Sequence, residues 1–136
     1  MESAHDKCFA CGRSNSDGLG LVFHQSRKTA VVARCVLDDH FQGYAGFAQG
    51  GIVATILDSA MTNCLFLMGV QGMSARLRIR FSRPVKVGVP IEVEAEAITR
   101  RGRVHELSAR ITQDGSLRAS ATGRFVAERL DHGRQE

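Results

Sequence analysis

The sequence predicts an α+β domain in which antiparallel strands wrap one long apolar helix. Three observations carry that class. Residues 50–68 are apolar almost all round, the mark of an enclosed helix rather than one lying on a surface. Residues 73–81 then switch to a period of two: Met73, Ala75, Leu77, Ile79 and Phe81 alternate with Ser74, Arg76, Arg78 and Arg80. Three more strand-like segments follow, and a lone apolar helix is buried only if a sheet covers it.

The elements read in chain order. Residues 1–18 form a polar N-terminal segment ending in the turn signal Asn15-Ser16-Asp17-Gly18. Residues 19–25 and 29–37 read as two strands around the short link Ser26-Arg27-Lys28. Residues 38–49 form a loop with Gly43 and Gly46. Its aromatic residues Phe41, Tyr44 and Phe47 suit a pocket rim, with plain loop packing as the alternative. Gly69 and Gly72 end the helix, and Pro84 and Gly88 end the strand 73–81. Residues 91–99 alternate Ile91, Val93, Ala95 and Ala97 with Glu92, Glu94 and Glu96. The basic turn Arg100-Arg101-Gly102-Arg103 leads to a strand at 104–113. Asp114-Gly115 is the strongest hairpin dipeptide in the chain, and 117–127 is the last strand. The expected organisation is one domain over 19–127, with the segment 1–18 before it and a charged tail over 128–136.

At 136 residues the chain is long enough for one sizeable core. The longest apolar stretch is interrupted by Asp58, Thr62 and Asn63 and reads as short of transmembrane length. The first residues are polar, without the apolar centre of a signal peptide, so the expected location is cytoplasmic, with no membrane partner. Formal net charge is +4, and all but three of the 18 basic residues (Lys7, Lys28 and Lys86) are arginines. Arginine suits bidentate contact with phosphate. One tyrosine and no tryptophan argue against a groove that stacks single-stranded nucleic acid. A small phosphorylated ligand is the expected partner.

The four cysteines should remain thiols in a reducing compartment. Cys35 and Cys64 read as small core residues. Cys8-Phe9-Ala10-Cys11-Gly12 has the spacing of half a tetrahedral zinc site, but no second such pair exists. His5 or His24 would complete it only through folding. The expectation is a packed N-terminal turn, with no metal and no cofactor. His40 and His105 read as surface residues, His40 also as a minor catalytic candidate.

Asp58 is the most informative residue. It lies mid-helix in an apolar run, where a carboxylate is costly to ionise unless paired. Gln49-Gly50-Gly51 opens the same helix, and glycines there leave backbone amides open to an anion. The helix start and the carboxylate two turns later read as one site.

These residues resemble a family. Phe41-Gln42-Gly43-Tyr44, the run from Gln49-Gly50-Gly51 through Asp58-Ser59-Ala60-Met61, and the segment from Met73-Ser74-Ala75 to Arg83-Pro84-Val85 look like the hotdog-fold acyl-CoA thioesterase superfamily, closest to the small phenylacetate-type thioesterases. The Cys8-to-Gly12 opening with Gly18-Leu19-Gly20-Leu21 also occurs in one subgroup. The resemblance covers roughly 15–127 and implies a curled antiparallel sheet around one central helix. It implies hydrolysis of an acyl- or aryl-CoA thioester, with coenzyme A present only as part of the substrate. The family usually opens the helix with His-Gly-Gly and carries an acid nine positions after the histidine. Here that spacing runs from Gln49 to Asp58, and glutamine cannot transfer a proton.

The resemblance implies catalytic roles for Asp58 as base or nucleophile, for the Gly51 amide as oxyanion donor and for Gln49 in orienting the carbonyl. Candidate substrate-binding residues are Gly50, Thr62, Ser74, Tyr44, Arg76 and Arg101, the arginines for coenzyme A phosphates. A plain alternative pairs Arg76, Arg78 and Arg80 with Glu92, Glu94 and Glu96. Phe41, Tyr44, Phe47, Met61 and Phe66 would line the acyl pocket. Asp58 of one subunit would face the Gln49-Gly51 segment of a neighbour, in a dimer or a dimer of dimers. The alternative function is a non-catalytic acyl-CoA or small-ligand binding protein. A hydratase is disfavoured, since no histidine stands at position 49 or in the helix.

Overall fold

The computed structural model describes residues 5–128. Of the expected tail 128–136, all but Glu128 lies outside the described residues. The elements are β1 (His24–Arg27), β2 (Ala30–Val36), a 3-10 turn (Asp39–Phe41), α1 (Gly50–Leu67), β3 (Gly72–Phe81), β4 (Pro90–Arg101), β5 (Val104–Gln113) and β6 (Ser116–Ala127). The six strands form one antiparallel sheet in the order β1-β2-β4-β5-β6-β3. Helix α1 packs across one face of it and touches five of the strands. This is the helix-in-sheet arrangement the sequence predicts.

One expected strand differs. Residues 19–25 enter the ladder only from His24. Upstream, the Leu19 amide donates to Phe9 O (2.7 Å) and the Leu21 amide to Ala10 O (2.9 Å). The N-terminal segment takes the bonds that a neighbouring strand would otherwise take, and Leu21 carries it into the core.

The core explains why α1 is apolar. Val53, Ile56, Leu57, Ala60, Met61, Cys64 and Leu65 recur every three or four positions and are buried against the sheet with Val93, Leu107, Ile111 and Phe125. Cys64 is a core residue as expected: its thiol donates to Thr29 O at 3.2 Å, and burial pushes its pKa up to about 11. Cys35 is half-buried. The helix is not enclosed all round, however. Gly51 is exposed, and Thr55, Asp58 and Thr62, spaced along the same side, are half-buried. The sheet covers one flank and leaves this stripe open. The 18-residue helix also has the length and composition to cross a membrane, against the sequence expectation. Half of it is buried inside the fold, as in a core helix.

His105 is buried rather than on the surface. Burial and then the charge of Arg100 lower its pKa below the ordinary 6.5, which favours the neutral imidazole. The cause is its register on β5, where it pairs with Phe125 on the helix-facing side.

Gly123 on β6 shows how tightly helix and sheet meet. A Cβ there would lie 2.7 Å from the Phe125 ring and 2.9 Å from Met61 Sδ. Glycine normally weakens a strand, yet Gly123→Ala is expected to destabilise the fold by about 1–3 kcal/mol through overpacking. Urea unfolding checks this: a midpoint equal to or above that of the wild type would mean the core yields freely at this point.

Candidate active site

The loop before α1 is a closed structure. The Asp38 carboxylate caps the 3-10 turn by accepting from the His40 amide at 2.9 Å. That bond and the His40 ring, 3.0 Å away, hold the carboxyl below its ordinary range. Gly46 takes a positive φ of 89°, open to glycine without strain. The Ala48 amide donates to Val85 O (2.7 Å) and the Gln49 amide to Phe41 O (2.8 Å). These bonds fix the chain as it enters the helix.

Gln49 is the helix N-cap, and its Oε1 accepts from the Ile52 amide at 3.1 Å. The amide oxygen is thereby engaged, which leaves the Nε2 hydrogens to donate outward. The side chain arches over Gly51, where a Cβ would lie 2.8 Å from Oε1. Gly51 is thus a requirement of the cap. Gly50 and Gly51 are exposed, and among the described residues their amides donate to no other group. These are two of the orphan donors of a helix start, at its positive end.

Asp58 lies seven residues further along α1, and its Oδ1 accepts from Ser74 Oγ at 2.6 Å. Strict alternation would put Ser74 on the arginine side of β3, away from the helix. A register shift between Ser74 and Arg76 changes this: Ser74 pairs with Phe125 and Arg76 with Arg124, so Ala75 is the extra residue of a bulge. The bulge turns Ser74 to the helix side, the side that Leu77 and Ile79 face further along. It also leaves Met73 exposed. Ser74→Ala is expected to lower any Asp58-dependent turnover about tenfold while leaving the melting temperature nearly unchanged, since Ser74 is exposed. Unchanged turnover would show the hydroxyl to be incidental.

The remaining candidates divide. Thr62 is half-buried one turn beyond Asp58 and makes no side-chain hydrogen bond among the described residues. Tyr44 is 88% exposed beside the helix start. The expected acyl-pocket lining does not form in one chain. Met61 is fully buried on the sheet side of α1, Phe41 packs edge-on against Phe9, and Phe66 packs on His5. Helical spacing separates them: Met61 and Phe66 leave α1 in different directions from Asp58. Only Tyr44 and Phe47 stay exposed.

The alternative pairing of the β3 arginines with the β4 glutamates does not occur within one chain. Glu94 and Glu96 pair with Arg27, Glu94 also with Arg110, and Glu92 with Arg34. Strands β5 and β6 stand between β3 and β4. Arg76, Arg78 and Arg80 form no ion pair among the described residues. Arg101 is exposed at the end of β4 opposite Val104. A groove of about 600 Å³ on the sheet face away from α1 takes in Arg78 and Arg80 with Glu94 and Glu96. A cavity of about 480 Å³ lies beside the N-terminal segment. Neither is lined by Gln49, Gly51 or Asp58.

Among the described residues, two groups of side chains have metal-ligand character. Asp38, Asp39 and His40 are exposed, and acidic residues commonly cluster this way without an ion. His5, Cys8 and Cys11 are half-buried and converge. His5 therefore joins the cysteine pair and His24 does not, an outcome of folding that spacing alone could not select.

Comparison with known proteins identifies the family and the fold. The profile of the Thioesterase superfamily matches residues 45–120, which include the helix start and Asp58. The acyl-coenzyme A thioesterase THEM4 of Rattus norvegicus is 30% identical over 119 residues, 84% of this chain and 51% of its own length. The chain spans about half the length of the THEM4 relatives it matches. Among solved structures, a putative thioesterase of Ralstonia eutropha described as related to phenylacetic acid degradation superposes with a TM-score of 0.76. It is 23% identical, with 92% of this chain and 98% of that one covered. A protein of Streptococcus mutans bound to acetyl CoA superposes at 0.74 with 17% identity, covering 79% and 88%. At those identities the two structures speak for the fold.

Proposed function

Because the chain belongs to the thioesterase superfamily, with its hotdog fold, we propose that it hydrolyses an acyl- or aryl-CoA thioester at a site built from Asp58, Gly51 and Gln49. The observation that carries this reading is the pairing of an exposed, donor-bearing helix start with a half-buried carboxylate on the same helix. The Gly51 amide stabilises the oxyanion that develops on the thioester carbonyl. Gln49, with its Oε1 tied to Ile52, donates Nε2–H to the same oxygen. Asp58 takes a proton from a water that attacks the carbonyl, or attacks the carbonyl itself to give an anhydride that water then opens. In either route the C–S bond breaks, and the coenzyme A thiolate leaves and takes up a proton from solvent. Ser74 fixes the carboxylate. Arg76 and Arg101, with their neighbours, meet the phosphates of coenzyme A. Gly50, Thr62 and Tyr44 border the substrate.

We read the site as built from two copies of the chain. Gly51 and Asp58 are seven residues apart, about 10 Å along a helix. That separation is too long for Asp58 to attack directly a carbonyl whose oxygen meets the Gly51 amide of the same chain. A second copy that supplies the other half closes the site and covers the open stripe of α1. The edge strand β3, with Met73 and Phe81 exposed, suits such pairing. The four free thiols suit a reducing, cytoplasmic setting.

A second reading is favoured by one observation: Gln49 is spent partly on capping the helix and cannot move a proton. On that reading the protein binds acyl-CoA without turnover. A thiol-release assay over short, medium, long and aryl acyl-CoAs separates the two. Turnover on any of them supports hydrolysis. Binding on the order of micromolar with no thiol released supports the binder.

A further inference from the structure

The segment ahead of β1 holds a cluster of chemically capable side chains that the hydrolytic reading leaves unused. The Cys8 amide donates to His5 O (3.0 Å), the Gly12 amide to Cys8 O (2.8 Å) and the Ser14 amide to Asp6 O (2.8 Å). These bonds wind residues 5–14 into a tight knuckle. A Cβ on Gly12 would sit 2.3 Å from both Asp6 O and Cys8 N, so only glycine closes it. The winding brings both thiols and a His5 ring nitrogen within 4.8 Å of one another, with Cys11 Sγ 3.3 Å from His5 Nδ1.

Zinc bound at about 2.3 Å to sulfur and about 2.0 Å to nitrogen holds its ligand atoms roughly 3.5–3.8 Å apart. The cluster is within about 1 Å of that spacing, which small side-chain rotations cover. The surroundings also fit. Asn63 Nδ2 approaches Cys11 Sγ at 3.5 Å and is itself anchored on Ser59 O at 2.9 Å, placing an N–H where it favours a bound thiolate. The His5 ring is set edge-on against Phe66, with centroids 4.9 Å apart. The cavity of about 480 Å³ borders His5 and Cys11 and has room for a water as fourth ligand. Among the described residues no fourth histidine, cysteine or carboxylate joins the cluster. Cys64 shows the contrast: it is fully buried and gives its thiol to a single backbone carbonyl.

We propose that His5, Cys8 and Cys11 bind one zinc ion, or a similarly thiophilic divalent cation, with solvent completing the tetrahedron. The bound ion staples the N-terminal knuckle to the second half of α1 through Asn63 and Phe66. Both thiols lose their protons to solvent on binding, and no electrons are exchanged. The proposal revises the sequence expectation of a plain packed turn, and it stands independently of the hydrolytic reading.

Reduced, full-length protein tests it. Metal analysis is expected to find about one zinc per chain, and titration of the metal-free protein with Co²⁺ to give a thiolate-to-cobalt charge-transfer band. Cys8→Ser and Cys11→Ser should lower zinc affinity by about 100-fold or more, and Asn63→Ala by about tenfold. Asp58→Asn should keep the ion whatever its effect on turnover. Less than about 0.1 zinc per chain together with no cobalt–thiolate band overturns the proposal. So does zinc retained in full by Cys11→Ser. If the cysteine variants do not fold, the cobalt titration of the wild type decides alone.

Discussion

Asp58→Asn is expected to lower kcat on the best acyl- or aryl-CoA substrate by about 10²–10⁴-fold, equivalent to about 2.7–5.5 kcal/mol of transition-state stabilisation. The change keeps the shape of the side chain and removes only its charge and basicity. Asparagine still accepts from Ser74 Oγ, now 2.6 Å from Asp58 Oδ1. Because Asp58 is half-buried, the amide is not forced into an apolar core. Unfolding midpoints should therefore match while turnover collapses, and KM should move little if the carboxylate acts only in the transition state. A variant with undiminished kcat would remove Asp58 from the mechanism.

Mixing two inactive variants is expected to restore activity. Asp58→Asn removes the carboxylate, and Gly51→Val places a side chain against Gln49 Oε1, which already stands 2.8 Å from where even a Cβ would be. The valine displaces the cap and covers the amide, but it meets only the far end of a flexible side chain, so the fold should survive. If each site takes Asp58 from one subunit and Gly51 from the other, a mixed dimer has one intact site and one doubly damaged site. Unfolding and refolding an equal mixture then recovers about a quarter of wild-type activity, because half of the dimers are mixed and each has one of two sites. Sites contained within single chains would recover nothing. The separation of Gly51 and Asp58 along α1, about 10 Å, is the reason to expect recovery.

The main features of the fold were legible because they are local. Alternation marked β4 to within a residue or two, the turns at 100–103 and Asp114-Gly115 bounded β5, and Asp114-Gly115 marked the β5–β6 hairpin, where both residues take positive φ. The apolar run of 50–68 marked α1. The strand expected at 19–25 joins the ladder only from His24, because the N-terminal segment takes the Leu19 and Leu21 amides.

By itself, the sequence determined that one apolar helix would carry a carboxylate two turns after a Gly-Gly start, and that a sheet would follow it. Composition and spacing suffice for that, since the helix start and Asp58 belong to one continuous element. Only the tertiary structure decided what surrounds that carboxylate. A one-residue bulge at Ala75 reverses the parity of β3 and sends Ser74 to Asp58. The sheet covers one flank of α1 and leaves the Gly51-to-Thr62 stripe open. His5 rather than His24 reaches the cysteine pair, and His105 turns inward opposite Phe125. Each of these depends on strand register or on contact between distant segments, and a period of two or 3.6 carries no record of either.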